Sequence, residues 1–201
     1  MSIGAKLGMA TLSAGAIGGA SYGGYVYFSK DSFASKLGIS ILKLTGKDDE
    51  TIWGKRLEEL KLATGLPTDL EALKASGKTW KDLQKWCATN SSKSFERTTN
   101  SDYQNFEKFC TWKMGDKDWN KKIDSTVRET EDKWGTAHTN LKAKADSDLS
   151  ESLRTVKNTV VTSDRQADRK AMHKWCTDNY KKTWIGNDDK EFKEVQTYCQ
   201  A

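Results

Sequence analysis

The residues best suited to chemistry in this chain are its four cysteines, and their neighbours recur. Trp86-Cys87 and Phe109-Cys110 make one pair of aromatic-cysteine steps, and Trp175-Cys176 and Tyr198-Cys199 make another. Subtracting 87 from 110, or 176 from 199, gives 23 both times. Cysteines so placed could ligate a metal, act as nucleophiles or close disulfides. No C-x-x-C pair occurs, so a zinc knuckle is not expected. His173 stands three residues before Cys176 and could complete half a metal site with Cys199, but a disulfide would consume both thiols. Asp116, Asp118 and Asn120 imitate the start of a calcium loop. The imitation fails where Lys121 replaces the required glycine and Val127 the closing glutamate. H-E-x-x-H and phosphate-binding Walker signatures are absent. The chain reads as non-enzymatic, with no metal or other cofactor expected.

The remaining candidates for recognition are tryptophans set among lysines. Trp112, Trp119, Lys121 and Lys122 could form a binding surface that stacks on sugars, bases or a partner protein. The competing reading places these rings in the core, because the tryptophans recur at helical spacing.

The elements that must position these residues are helices. A single proline, Pro67, interrupts 201 residues, and eight tryptophans compensate for a hydrophobic share of only 36%. The formal charge is +5, and residues 1–30 supply Lys6 and Lys30 with no acid. The rest carries 31 basic against 28 acidic residues, interleaved as in Lys55-Arg56-Leu57-Glu58-Glu59, which reads as a solvated helix face. Nucleic acid is therefore not the expected partner.

Leu7 to Phe28 form 22 residues without a charge, long enough for a bilayer span. Gly15, Gly19 and Gly23 share one helical face at the spacing that lets membrane helices approach closely, so a homo-oligomer through this helix is expected. Tyr22, Tyr25, Tyr27 and Phe28 suit an interfacial aromatic belt. Residues 1–30 fit an uncleaved signal-anchor, a cleaved signal peptide or a glycine-rich soluble tail. The lysines after the span favour a cytoplasmic C-terminal part, whereas four regularly placed cysteines favour export; export is adopted. Residues 31–47 follow as a juxtamembrane amphipathic helix, with Phe33, Leu37, Ile41 and Leu44 on one face.

Beyond this point one theme occurs twice. Trp53-Gly54, Leu60-Lys61, Leu70 and Leu73 lead to Trp86-Cys87; Trp134-Gly135, Leu141-Lys142, Leu149 and Leu153 lead to Trp175-Cys176. Asn90, Lys93 and Phe95 then match Asn179, Lys182 and Trp184, and Tyr103, Phe106 and Phe109 match Phe192, Val195 and Tyr198. The last three of each set share a helix face with the closing cysteine, as Leu83 shares one with Cys87 and Met172 with Cys176. Four cysteines allow three connectivities, and these faces favour Cys87 to Cys110 and Cys176 to Cys199. The expected fold is all-α: an elongated body of two disulfide-stapled helical repeats, 48–111 and 133–201, joined by a connecting helix over 112–132 on which Trp119, Ile123 and Val127 keep helical spacing.

Lys6, the Gly/Ala/Ser span ending in tyrosines, and the recurring Trp-Cys and Phe-Cys steps in a lysine-rich helical chain resemble the small paralogous proteins of haemotropic mycoplasmas. The resemblance implies a membrane-attached, surface-exposed product of a wall-less bacterium and antigenic variation, and it brings over no catalytic residue. The expected function is a surface protein with a single-pass anchor and an extracellular helical domain that meets host proteins or glycans. The alternative is a secreted module that binds nucleic acid or scavenges nutrients. Peptide mapping without reductant should recover Cys87–Cys110 and Cys176–Cys199 as linked peptides, and loss of one bridge should cost roughly 3 kcal/mol of unfolding free energy in urea titration.

Overall fold

A computed structural model of the protein describes residues 31–201; the expected anchor and its Gly15, Gly19 and Gly23 lie outside the described residues. Among the described residues the regular structure is helical, with four isolated β-bridges and no strand. The helices are α1 (Phe33–Leu37), α2 (Glu50–Leu62), α3 (Thr68–Glu71), α4 (Trp80–Asn90), α5 (Ser101–Cys110), α6 (Asp132–Lys142), α7 (Glu151–Lys157), α8 (Ala167–Tyr180) and α9 (Lys190–Tyr198). None of them is long and apolar enough to cross a membrane.

Two apolar clusters form, one on each side of Trp112. The first gathers Phe33, Trp53, Leu60, Leu83, Phe106 and Phe109 around Cys87–Cys110, and the second gathers Met114, Trp134, Leu141, Leu153, Phe192 and Val195 around Cys176–Cys199. The helix faces are those read from spacing: Tyr103, Phe106 and Phe109 are buried with Cys110, and Phe192, Val195 and Tyr198 with Cys199. Asn100 and Asp189 cap the closing helices, accepting from the amides of Tyr103 (3.2 Å) and Phe192 (2.8 Å).

The same contacts occur on the two sides. Trp53 and Trp134 are fully buried, and their indole N–H groups donate to the carbonyls of Lys43 (3.1 Å) and Val127 (3.2 Å). Asn90 and Asn179 each donate to the carbonyl four residues back, Trp86 and Trp175, at 2.8 Å. The amide of Phe33 donates to Lys93 (2.9 Å) and that of Met114 to Lys182 (2.9 Å); Leu42 donates to Cys110 (3.0 Å) and Ile123 to Cys199 (3.0 Å). Trp112 donates to Ser40 (2.7 Å) and Ala201 to Lys121 (3.1 Å), and Phe95 donates to Asp31 as Trp184 does to Trp112.

Two expected helices are corrected. The juxtamembrane helix over 31–47 shrinks to α1 and a 3-10 turn at Gly38–Ser40, because Gly38 at φ 49° ends the helix. Phe33 and Leu37 enter the first core, and Leu42 rather than Ile41 is fully buried. The connecting helix over 112–132 is replaced by a 3-10 turn at Met114–Asp116 and irregular chain up to α6. The amides of Met114 and Ile123 are taken by distant carbonyls, and Lys121 has φ 60°, which no right-handed helix contains. Helical spacing of Trp119 and Ile123 there reflects two residues packed on one core, not a helix.

Gly115 sits where a side chain cannot: a Cβ would meet the Tyr180 Cβ at 2.8 Å and its carbonyl oxygen at 3.0 Å. Gly54, inside α2, faces open space. Gly115→Ala should destabilise the protein by about 1–3 kcal/mol through overpacking, whereas Gly54→Ala should stabilise it by about 0.5–1 kcal/mol through helix propensity, both read by chemical denaturation.

Candidate functional site

The most concentrated chemistry in the described residues lies where the two clusters meet. It is built from α2, the end of α5 and the chain just beyond it. Arg56 lies three residues after Trp53 on α2, a phase that turns it toward Thr111 instead of the solvent. Its side chain is 1% exposed, so the expected solvated face of Lys55 to Glu59 is corrected at this residue. The guanidinium donates to the Thr111 carbonyl (3.1 Å), to Glu59 Oε1 (2.8 Å) and to the carboxylate of Asp116, itself 7% exposed. Asp116 also accepts from the Lys113 amide at 2.7 Å.

Beside this pair lies a second buried cation. The Lys113 ammonium donates to the Glu107 carbonyl (2.9 Å), Thr111 Oγ1 (3.0 Å) and Thr183 Oγ1 (3.2 Å), so residues from both sides share it. Burial, reinforced by the Arg56 charge, pulls its pKa from 10.5 down to about 8. Lys117 completes the group: its ammonium lies 3.5 Å from the ring centre of Trp112 and 3.9 Å from that of Trp184, and burial lowers its pKa.

The residues expected to bind from sequence divide here. Trp112 is half-buried under Lys117. Trp119 is half-buried, edge-on to Tyr180 (5.8 Å) and Phe192 (6.0 Å). Lys122 turns inward, its ammonium donating to the Lys117 carbonyl (2.7 Å) over the Trp119 ring (4.7 Å), and burial lowers its pKa. Lys121 alone of the four points to solvent. The structure thus brings Trp119 and Lys122 together and gives Trp112 an internal cation as its partner. Arg56, Lys113, Asp116 and Thr183 carried no sequence signal as a set, since up to 70 residues separate those that touch.

The histidines sit in packing roles. His138 is buried with Nε2 3.0 Å from the Val156 carbonyl, and His173 packs edge-on against Trp134 at 5.1 Å. Both thiols beside His173 are in the disulfide, and among the described residues no group of three His, Cys, Asp or Glu could hold a metal. No protein family matches this chain, and no curated protein or solved structure is similar to it.

The lowered Lys113 pKa has a definite sign. The folded state disfavours the cation, so the penalty is full below pH 8 and is relieved as pH rises from about 8 toward 10.5. Wild-type stability should therefore rise over that interval relative to Lys113→Met, by at most roughly 3 kcal/mol, when the two are compared by urea titration at each pH.

Proposed function

We propose that this chain is a non-enzymatic surface protein, attached by its N-terminal segment to a membrane, whose helical body is a tandem duplication stapled once per copy. One observation carries the reading: both cysteine pairs are closed as disulfides, each tying the two helices of one hairpin, with every cysteine fully buried. Such bonds form and persist in oxidising compartments, which favours an extracellular body. The uncharged run from Leu7 to Phe28 supplies the attachment as a signal-anchor, with Gly15, Gly19 and Gly23 as its packing face. If that run is cleaved, the same body is released.

The duplication is supported by hydrogen bonds that match between the two sides: Phe33 donates to Lys93 as Met114 does to Lys182, Leu42 to Cys110 as Ile123 to Cys199, and Asn90 to Trp86 as Asn179 to Trp175. On this reading the first copy runs over 31–111 and the second over 112–201, so that the residues around Phe33 and around Met114 are equivalent. Lys36 over Phe95 (5.3 Å) is then the counterpart of Lys117 over Trp184 (3.9 Å).

Display to host proteins or glycans is supported by a surface that the fold uses little. Many exposed lysines pair with acids one helical turn away, as Lys61 does with Glu58 and Lys174 with Asp178, and such pairs contribute on the order of 0–1 kcal/mol each. Side chains of that kind can change without loss of the fold, which suits antigenic variation of the type implied by the haemotropic mycoplasma resemblance. In intact cells producing the protein with a C-terminal epitope, external protease should remove the epitope while a cytoplasmic marker survives. An epitope that persists while known surface proteins are stripped would refute the exposed topology.

A further inference from the structure

Where the two clusters meet, two exposed isoleucines from opposite sides come together. Ile39 is 60% exposed and Ile185 is 58% exposed. A Cβ on Gly186 would lie 3.4 Å from Ile39 Cδ1, so the chain that carries Ile185 rests against Ile39. The backbone explains the meeting: the Trp112 amide donates to the Ser40 carbonyl (2.7 Å) and the Trp184 amide to the Trp112 carbonyl (2.9 Å), which lays three segments side by side. The two outer segments are uncharged, from Leu37 to Leu42 and from Thr183 to Asn187, in a chain of which 30% is charged. Apolar residues scattered singly over a surface need no partner, but two that meet on an uncharged patch call for one.

The place of the patch in the chain points to that partner. Asp31 is fixed to the body: its carbonyl accepts from the Phe95 amide, Ser32 bridges to Ser94, and the Phe33 amide donates to Lys93 (2.9 Å). The uncharged run ends at Phe28, so only Ser29 and Lys30 separate it from this fixed point, a reach of about 10 Å when fully extended. Five of the residues between Asp31 and Ile39 form α1, which rises about 1.5 Å per residue, and Ile39 therefore lies within roughly 20 Å of Asp31. A run that spans a bilayer holds the body against the surface, with no linker in which to move away. The exposed Lys36 and Lys43 flank the first segment, where lipid phosphates would meet them.

We propose that Ile39 and Ile185 insert into the lipid interface beside the anchor, a second membrane contact that fixes which face of the helical body meets the bilayer. The proposal rests on the membrane attachment proposed above. Two side chains hold a free protein weakly, but a tether raises their effective concentration at the surface, so a weak contact suffices.

The test uses the full chain in vesicles of phosphatidylcholine and phosphatidylglycerol, with the body facing outward. The native cysteines are all bridged, so Ile185→Cys takes a fluorescent label alone, and Leu62→Cys, at an exposed apolar residue of α2, serves as the reference. A nitroxide borne on the lipid should quench the label at 185 at least about threefold more than the label at 62, and aqueous iodide should do the reverse. A label at 185 that iodide reaches as readily as at 62 would overturn the proposal. Protection from both quenchers would also overturn it, because protein would then cover the patch, either the N-terminal segment or a second copy. Alkaline carbonate extraction of the same vesicles separates the two readings: a chain that washes off removes the attachment and the proposal with it, whereas a retained chain with a wet label removes the proposal alone. Ile39→Ser with Ile185→Ser leaves the core intact, and trypsin should cut this variant at Lys43 and Lys47 about tenfold faster than the wild type, with cutting at Arg165 unchanged. Equal rates at Lys43 and Lys47 would count against insertion; a rise at all three sites reports a loosened fold, and the label then decides.

Discussion

Two disulfide-closed helix hairpins carry this structure. In each, the cysteines lie on the apolar faces of both helices, so the bond ties together surfaces that already pack. The hairpins offer more than side chains. Their backbone carbonyls at Lys93 and Cys110, and at Lys182 and Cys199, accept hydrogen bonds from the chain that enters each side. Those entering segments hold only α1, five residues long, and the three-residue turns at Gly38–Ser40 and Met114–Asp116. Helices so short do not persist in water alone, because nucleation costs more than one turn returns. They exist because the hairpin supplies partners for their amides and a floor for Phe33 and Met114.

The second constraint is electrostatic. Between the two apolar clusters the chain buries two cations, Arg56 and Lys113, against one well-buried acid, Asp116. The imbalance is met by carbonyl and hydroxyl acceptors and by Glu59 at the rim, while burial and the neighbouring Arg56 charge hold the Lys113 pKa down. Buried charges of this kind add little net stability compared with apolar packing, but they penalise every misalignment. The joint is therefore better understood as fixing which surfaces meet than as holding them tightly. Lys117 between Trp112 and Trp184 acts in the same direction, since a cation sandwiched by two rings has one satisfactory position.

This division of labour leaves the outer helix faces lightly constrained. Leu62 is 85% exposed and Val160 is 70% exposed, and the lysines around them are paired locally rather than with the core. A protein whose order comes from buried hairpins and one internal joint can alter such a surface at small cost.

The periodic features were legible in the sequence. Apolar residues three and four apart gave the faces of α4, α5, α8 and α9, and equal cysteine spacing gave the two disulfides, because a helix face and a short loop are local properties. The same rule misled at Trp119 and Ile123, where helical spacing arose without a helix: a positive φ at Lys121 and amides bonded to Lys182 and Cys199 are tertiary facts. It also placed Arg56 in water, since a charged residue among charged residues carries no mark of a partner sixty positions away. Sequence by itself determined the helical hairpins and their covalent ties, whose energies depend on neighbours along the chain. Tertiary structure alone decided the joint, because only folding brings Arg56, Lys113 and Asp116 out of water together, and the cost of a buried charge is set by what surrounds it.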